Sequence, residues 1–172
     1  RHTRFKCDWS SDVCSSDLIS FSAPPDVLVS REGNAAAVRT AGGGLTILGA
    51  RIDNYTAEQW LLRDGDPRDV TAARAQAHCD ENGCIAKSAD GKTIALSLRA
   101  GALVEDCTRA DIVVSAVPVR RNCRGPELVL DRFDIAKSGA LALTFKPDGI
   151  RLDTVAQERG DRKSTRLNSS HT

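Results

Sequence analysis

The chain has 172 residues, of which 41% are hydrophobic and 27% charged, with a formal net charge of +1. That balance suits one folded domain of ordinary size and excludes a disordered segment. Only 4% of the residues are aromatic, so the core must rest on Val, Leu, Ile and Ala.

The chain contains no Met, and we expect the natural N-terminus to lie upstream. No apolar h-region follows the basic start, so no cleavable signal peptide is expected. Arg1 to Leu18 (RHTRFKCDWSSDVCSSDL) and Asp161 to Thr172 (DRKSTRLNSSHT) show neither helical nor strand periodicity. Back-translation of CDWSSDVCSSD and of DRKSTRLNSSHT yields two DNA strings that are reverse complements of one another. Both ends look like a translated short-read sequencing adapter; the alternative is a natural pair of Ser/Cys-rich tails. Segments 1–18 and 161–172 are therefore set apart as non-native. Setting them aside removes Cys7, Cys14, His2, His171 and Trp9. Segment 19–160, Ile19 to Gly160, remains as one small soluble domain with four Cys, one His, one Trp and a net charge of about −1. A domain of that charge offers no general electrostatic case for binding nucleic acid.

Pro24-Pro25 reads as a stiff entry segment. Asp26 to Ser30, Ala35 to Arg39 and Leu45 to Gly49 read as strands. The turns Glu32-Gly33-Asn34 and Gly42-Gly43-Gly44 join them into an antiparallel meander. Thr56 and Gln59 form a capping-box pattern ahead of a helix over Ala57 to Arg63, stopped by Asp64-Gly65-Asp66-Pro67. A second short helix is expected over Asp69 to Gln76. His78 to Ala86 and Thr93 to Leu98 flank the turn Ala89-Asp90-Gly91-Lys92, whose Asp-Gly step favours a hairpin.

Leu103 to Arg109 reads as a helix. Asp111 to Val117 is the strongest strand, and its near-continuous apolar run predicts burial on both faces. The longest apolar stretch, Ile112 to Val119, is broken by Ser115 and Pro118 and is far too short to cross a bilayer. A strand over Leu128 to Leu130 precedes a short helix over Asp131 to Ser138, closed by Gly139. Ala140 to Phe145 and Ile150 to Val155 form a hairpin across Lys146-Pro147-Asp148-Gly149. The order predicts an α+β fold, a layered αβ domain of mostly antiparallel strands with short helices.

Cys79, Cys84, Cys107 and Cys123 allow three pairings. In Cys-Asp-Glu-Asn-Gly-Cys the Asn82-Gly83 step lets the chain fold back, so a local Cys79–Cys84 bridge is sterically easy. A helix–strand unit could bring Cys107 and Cys123 within the roughly 4.4–6.8 Å that a disulfide needs between Cα atoms. We favour these two pairs over free buried thiols and over zinc. Structural zinc prefers Cys spacings of about two to four residues in paired knuckles, and no second knuckle is present. Disulfides would place the domain in an oxidising compartment such as a periplasm.

Other candidates read as structure. His78 has no partner legible in sequence; a Cys107–His78 nucleophile–base pair is conceivable but a turn position is the better reading. Asp64, Asp66 and Asp69 lack the spacing and closing Glu of a calcium loop and read as helix-end and turn residues. Ser115 and Ser138 lack the Gly-x-Ser-x-Gly context of a nucleophile. Trp60 and Leu61 read as core. Arg120, Arg121 and Arg124 form a small basic loop, solvated or in contact with DNA phosphates.

Five stretches, taken together, resemble a known family. They are Pro-Asp-Val-Leu-Val-Ser-x-x-Gly (Pro25 to Gly33), Trp-Leu-Leu-Arg-Asp-Gly-Asp (Trp60 to Asp66), Cys-Asp-Glu-Asn-Gly-Cys (Cys79 to Cys84), Glu105 to Ser115 (EDCTRADIVVS) and Val129 to Leu143 (VLDRFDIAKSGALAL). In order and spacing they look like the C-terminal soluble region of ComEC-type competence proteins in their alphaproteobacterial form. The resemblance covers nearly all of Ile19 to Gly160. It implies an inner-membrane channel that imports single-stranded DNA during natural transformation, with this domain on the periplasmic side. It also implies a metallo-β-lactamase-like fold, and in many members a nuclease acting on the non-transforming strand.

The chain departs from that pattern at the metal site. A two-metal hydrolase centre needs a His-x-His-x-Asp-His cluster and further His residues, and this domain has only His78. Where typical members run from the Ala-Asp step through a strand into a His-His-Gly-Ser loop, Ala110-Asp111 leads through Val113-Val114 to Pro118-Val119-Arg120-Arg121. Arginine stays protonated and offers no lone pair to a cation. We therefore expect a degenerate metallo-β-lactamase-like domain with no catalytic, cofactor or metal residues, with disulfides at Cys79, Cys84, Cys107 and Cys123. Arg120, Arg121 and Arg124 are the candidate DNA contacts. Its expected partners are DNA and the transmembrane channel portion of the parent protein, with no small-molecule substrate. The alternatives are a metal-dependent nuclease domain of the same family and an unrelated disulfide-stabilised secreted binding module.

Overall fold

A computed structural model describes residues 23–49, 54–119 and 123–155. Two five-stranded sheets face one another. The first is built from β1 (Val27–Val29), β2 (Ala36–Arg39), β3 (Leu45–Leu48), β9 (Leu141–Lys146) and β10 (Gly149–Thr154). Its order is β10-β9-β1-β2-β3 and every neighbouring pair is antiparallel. The second is built from β4 (His78–Cys79), β5 (Gly83–Lys87), β6 (Thr93–Ser97), β7 (Ile112–Ser115) and β8 (Leu128–Leu130), in that order. There β4, β5 and β6 run antiparallel, while β6, β7 and β8 run parallel.

Strand alternation decides which side chains meet. Successive residues point to opposite faces, so Val27, Val29, Ala36, Val38, Leu48, Leu141 and Leu143 of the first sheet turn inward. They meet Cys84, Ala86, Ile94, Leu96, Ile112, Val114 and Leu130 of the second, forming the main core. Each fully buried Val, Leu or Ile contributes roughly 1.5–3 kcal/mol. The intervening residues face outward and need a second cover. Ala35, Ala37, Leu45 and Ile47 receive it from α1 (Asn54–Asp64) and α2 (Val70–Arg74), through Ala57, Leu61, Val70 and Ala73. Ala95 and Val113 receive it from α3 (Leu103–Arg109) and the Ala110 that follows it. The result is four layers, helices outside and two sheets inside. The short helix α4 (Arg132–Ser138) inserts Ile135 into the main core. Among the described residues, no helix is long and apolar enough to cross a membrane.

The strand over Asp111 to Val117 is shorter than its apolar run, ending at Ser115 where that hydroxyl bonds the chain two residues on. All four of its residues are buried, because it lies between two parallel neighbours with α3 outside. Two expectations need correction. Thr56 is not a helix cap: α1 already contains Asn54 and Tyr55, and a cap must stand outside helical geometry. The buried stripe Ala57 and Leu61, not the polar pair, sets that helix against the sheet. His78 to Ala86 is not one strand either. The Asp80 carboxylate accepts from the backbone N–H of Asn82 and of Gly83, at 2.7 and 2.8 Å, closing a tight turn between β4 and β5.

Candidate functional site

The Asp64-Gly65-Asp66 segment holds α1 and α2 to the first sheet. Arg39 binds both carboxylate oxygens of Asp64. Asp66 accepts from the Arg68 guanidinium at 2.6 Å and from Leu45 N–H at 3.1 Å, while Arg68 reaches on to Leu45 C=O at 2.8 Å. The Arg68 guanidinium, aided by the Arg68 and Leu45 amides, holds the Asp66 carboxyl well below the usual carboxylate range despite its burial. Asp69 caps α2 by accepting from Ala72 N–H. These acids are thus engaged in structure, as helix-end and turn residues. Leu61 is buried, and Trp60 packs half-buried beside it.

Chemistry-bearing groups gather instead at the end where β6, β7 and β8 finish. Ser97 and Ser115, the last residues of β6 and β7, lie side by side and are both fully buried. Ala116 N–H donates to Ser97 C=O at 3.0 Å. The Ser97 hydroxyl donates to Asp106 of α3 at 2.5 Å. The Ser115 hydroxyl donates to Val117 C=O at 2.8 Å and accepts from Val117 N–H at 3.2 Å, so it is turned back on its own chain. Val119 N–H donates to Asp131 at 3.3 Å, and Asp131 also caps α4 in a capping box with Asp134. Burial works against the Asp131 charge, but the N–H groups of Asp134, Val119 and Phe133 outweigh it and hold its pKa down. The turn after β1 closes this end: a Cβ on Gly33, at φ +68°, would lie 2.7 Å from Ile135.

Two clefts flank α3. One, of about 470 Å³, is polar and is lined by His78, Asp80, Asn82, Glu105 and Asp106. Asp106 is 6% exposed. Burial pushes its pKa up; the Ser97 hydrogen bond opposes that, and the charges of Glu105 and Asp80 add to it. His78 is exposed at its rim, opposite Ile85 in the β4–β5 ladder. The other cleft, of about 760 Å³, is apolar and runs between α3 and the segment after β7. Leu103, Val104, Cys107, Val117, Pro118 and Val119 line it.

Two disulfides frame these clefts. Cys79 is bonded to Cys84 and Cys107 to Cys123. Cys107 therefore has no thiol to act as a nucleophile, with or without His78. The second bridge ties α3 to the segment carrying Arg124, and the next residue tightens that tie. A Cβ on Gly125 would stand 2.4 Å from the Cys107 carbonyl oxygen, so only glycine fits there. Arg124 is exposed between these two anchors. Arg120 and Arg121 lie outside the described residues. Gly125 and Asp106 were missed as site residues in sequence, since their importance comes from contacts across the fold; the Cys-Arg-Gly-Pro run was the one local signal.

Among the described residues, no group of three or more His, Cys, Asp or Glu side chains is arranged to hold a metal ion. No family model, curated protein or solved structure matches the chain.

Proposed function

We propose that this chain carries a non-catalytic, disulfide-stapled domain on the periplasmic side of a ComEC-type inner-membrane channel, where it contacts imported single-stranded DNA without cutting it. The family resemblance supplies the channel and the DNA. The arrangement of helices outside two facing sheets is compatible with a degenerate metallo-β-lactamase-like fold.

The observation that carries the reading lies after β7, where the family pattern places a His-His loop. Here the residues are Ala116, Val117, Pro118 and Val119, with the Ser115 hydroxyl spent on Val117. None of those four side chains has a lone pair for a metal ion. The segment that follows is pinned to α3 at Cys123 and Gly125 and offers Arg124 to solvent. A guanidinium binds phosphate oxygens through several donors at once. The two disulfides support an oxidising compartment.

A nuclease assay tests the non-catalytic half of this reading. Labelled single- and double-stranded oligonucleotides are incubated with the purified chain plus manganese or zinc, against a chelator control. No cleavage above the chelator control is expected. Metal-dependent cutting that copurifies with the chain would overturn the reading in favour of a nuclease domain.

A further inference from the structure

The first sheet ends on β10, and among the described residues no strand pairs with its outer side. One hydrogen bond sets the direction of its backbone groups: Val155 N–H donates to Ala140 C=O at 3.2 Å. In an antiparallel ladder the N–H and C=O of alternate residues turn to the same side. Asp153 and Arg151 therefore bond towards β9, and Ile150 and Leu152 turn their backbone groups to the outer edge.

Edge strands are ordinarily kept from pairing by proline, lysine, a bulge or an inward charge. Gly149–Thr154 has no proline or lysine, and its register with β9 is unbroken. Its charges are Arg151 and Asp153, which pair with each other at 2.9 Å. The other edges are poorer templates. Leu45 on β3 already gives its N–H and C=O to Asp66 and Arg68, while β4 and β8 are two and three residues long.

We propose that β10 is a self-association edge, through which two copies of this chain pair antiparallel about a two-fold axis at Leu152. That axis sets Leu152 opposite Leu152 of the second copy, with their outward N–H and C=O groups exchanging hydrogen bonds. It also sets Arg151 opposite Asp153 of the second copy, and Asp153 opposite Arg151 of the second copy. These charged residues fall at the non-hydrogen-bonded positions, where opposed side chains come closest. The charge order is thus its own complement under a two-fold, and a second copy is the occupant it fits. Ile150 and Leu152, packed on the core margin and only partly buried, would be covered from the side.

The test is sedimentation of the full chain over a range of concentrations, with circular dichroism to confirm folding. Wild type should dimerise. Arg151→Asp alone and Asp153→Arg alone should each weaken the dimer by about tenfold or more, because like charges then face each other twice. Mixing the two single variants should restore association, since each supplies the charges the other lacks. As a second route, Leu152→Cys should cross-link to itself, the Cα atoms of such a pair being about 5.5 Å apart. Lys137→Cys on the exposed side of α4 should not. A chain that stays monomeric at every concentration, or single variants that dimerise like wild type, would overturn the proposal. Failure of Leu152→Cys to cross-link would do the same.

Discussion

The Asp106 carboxylate lies 2.5 Å from the Ser97 hydroxyl, buried where β6 ends against α3. Burial, and the neighbouring charges of Glu105 and Asp80, raise its pKa above that of an unfolded aspartate, which titrates near 3.9. A raised acid holds its proton more tightly in the folded state. Its contribution to stability is therefore full below about pH 3.9 and is lost as pH rises through the folded value. At neutral pH the charge is a cost. Asp106→Asn keeps the shape and still accepts from Ser97, so it should melt higher than wild type at pH 7. The advantage should vanish by about pH 3. Thermal melts of both proteins across that range check the prediction, and a variant less stable than wild type at pH 7 would contradict it.

The Cys107–Cys123 bridge spans 16 positions. Closing a loop of that length stabilises by about 3 kcal/mol in the chain-entropy model. Replacing both cysteines with serine should cost about that much by denaturant unfolding, and replacing Cys79 and Cys84 should cost less because their loop is shorter. Gly125→Ala in the intact protein should also destabilise, by about 1–3 kcal/mol, because its Cβ would press on the Cys107 carbonyl.

Asp66 is 4% exposed at its side chain while its partner Arg68 is 29% exposed. Asp66→Ala strands Arg68 and the Leu45 N–H, and should cost about 2–3 kcal/mol, below the range for a fully buried pair because Arg68 keeps some water. Its lowered pKa gives the opposite pH behaviour to Asp106: the stabilisation is present above about pH 3.9 and is lost only as pH falls well below it. Glu105→Ala, which removes the exposed pair with Arg109, should change stability by no more than about 0.5 kcal/mol. Parallel denaturant titrations at pH 7 give the contrast.

Much of the layered fold was legible because side-chain periodicity is a local property. Leu103–Arg109 and Leu128–Leu130 have the bounds their sequence predicted, and Asp131 and Gly139 bracket α4 with recognisable cap chemistry. The start of α1 was misread, since Thr56 and Gln59 carry a capping pattern but lie within a helix positioned by Ala57 and Leu61. The fold-back at Asn82-Gly83 is legible in the sequence and separates β4 from β5, whereas the part of Asp80 in closing it, through the backbone N–H groups of Asn82 and Gly83, is not. Parallel pairing of β7 with β6 and with β8 was also hidden, as strand direction depends on the crossover rather than on the strand. At the candidate site the cysteines were visible by spacing. Asp106 was not, because a charged residue on a helix reads as solvated until the sheet packs against it.

The most direct measurement is fluorescence anisotropy of a labelled single-stranded oligonucleotide titrated with the full chain at low and moderate salt. Saturable binding that weakens as salt rises is expected, the mark of phosphate contacts. Replacing Arg120, Arg121 and Arg124 together with alanine should reduce affinity at least tenfold, by about the loss of a few charge-assisted contacts. No binding even at low salt, or equal binding by the triple variant, would contradict it.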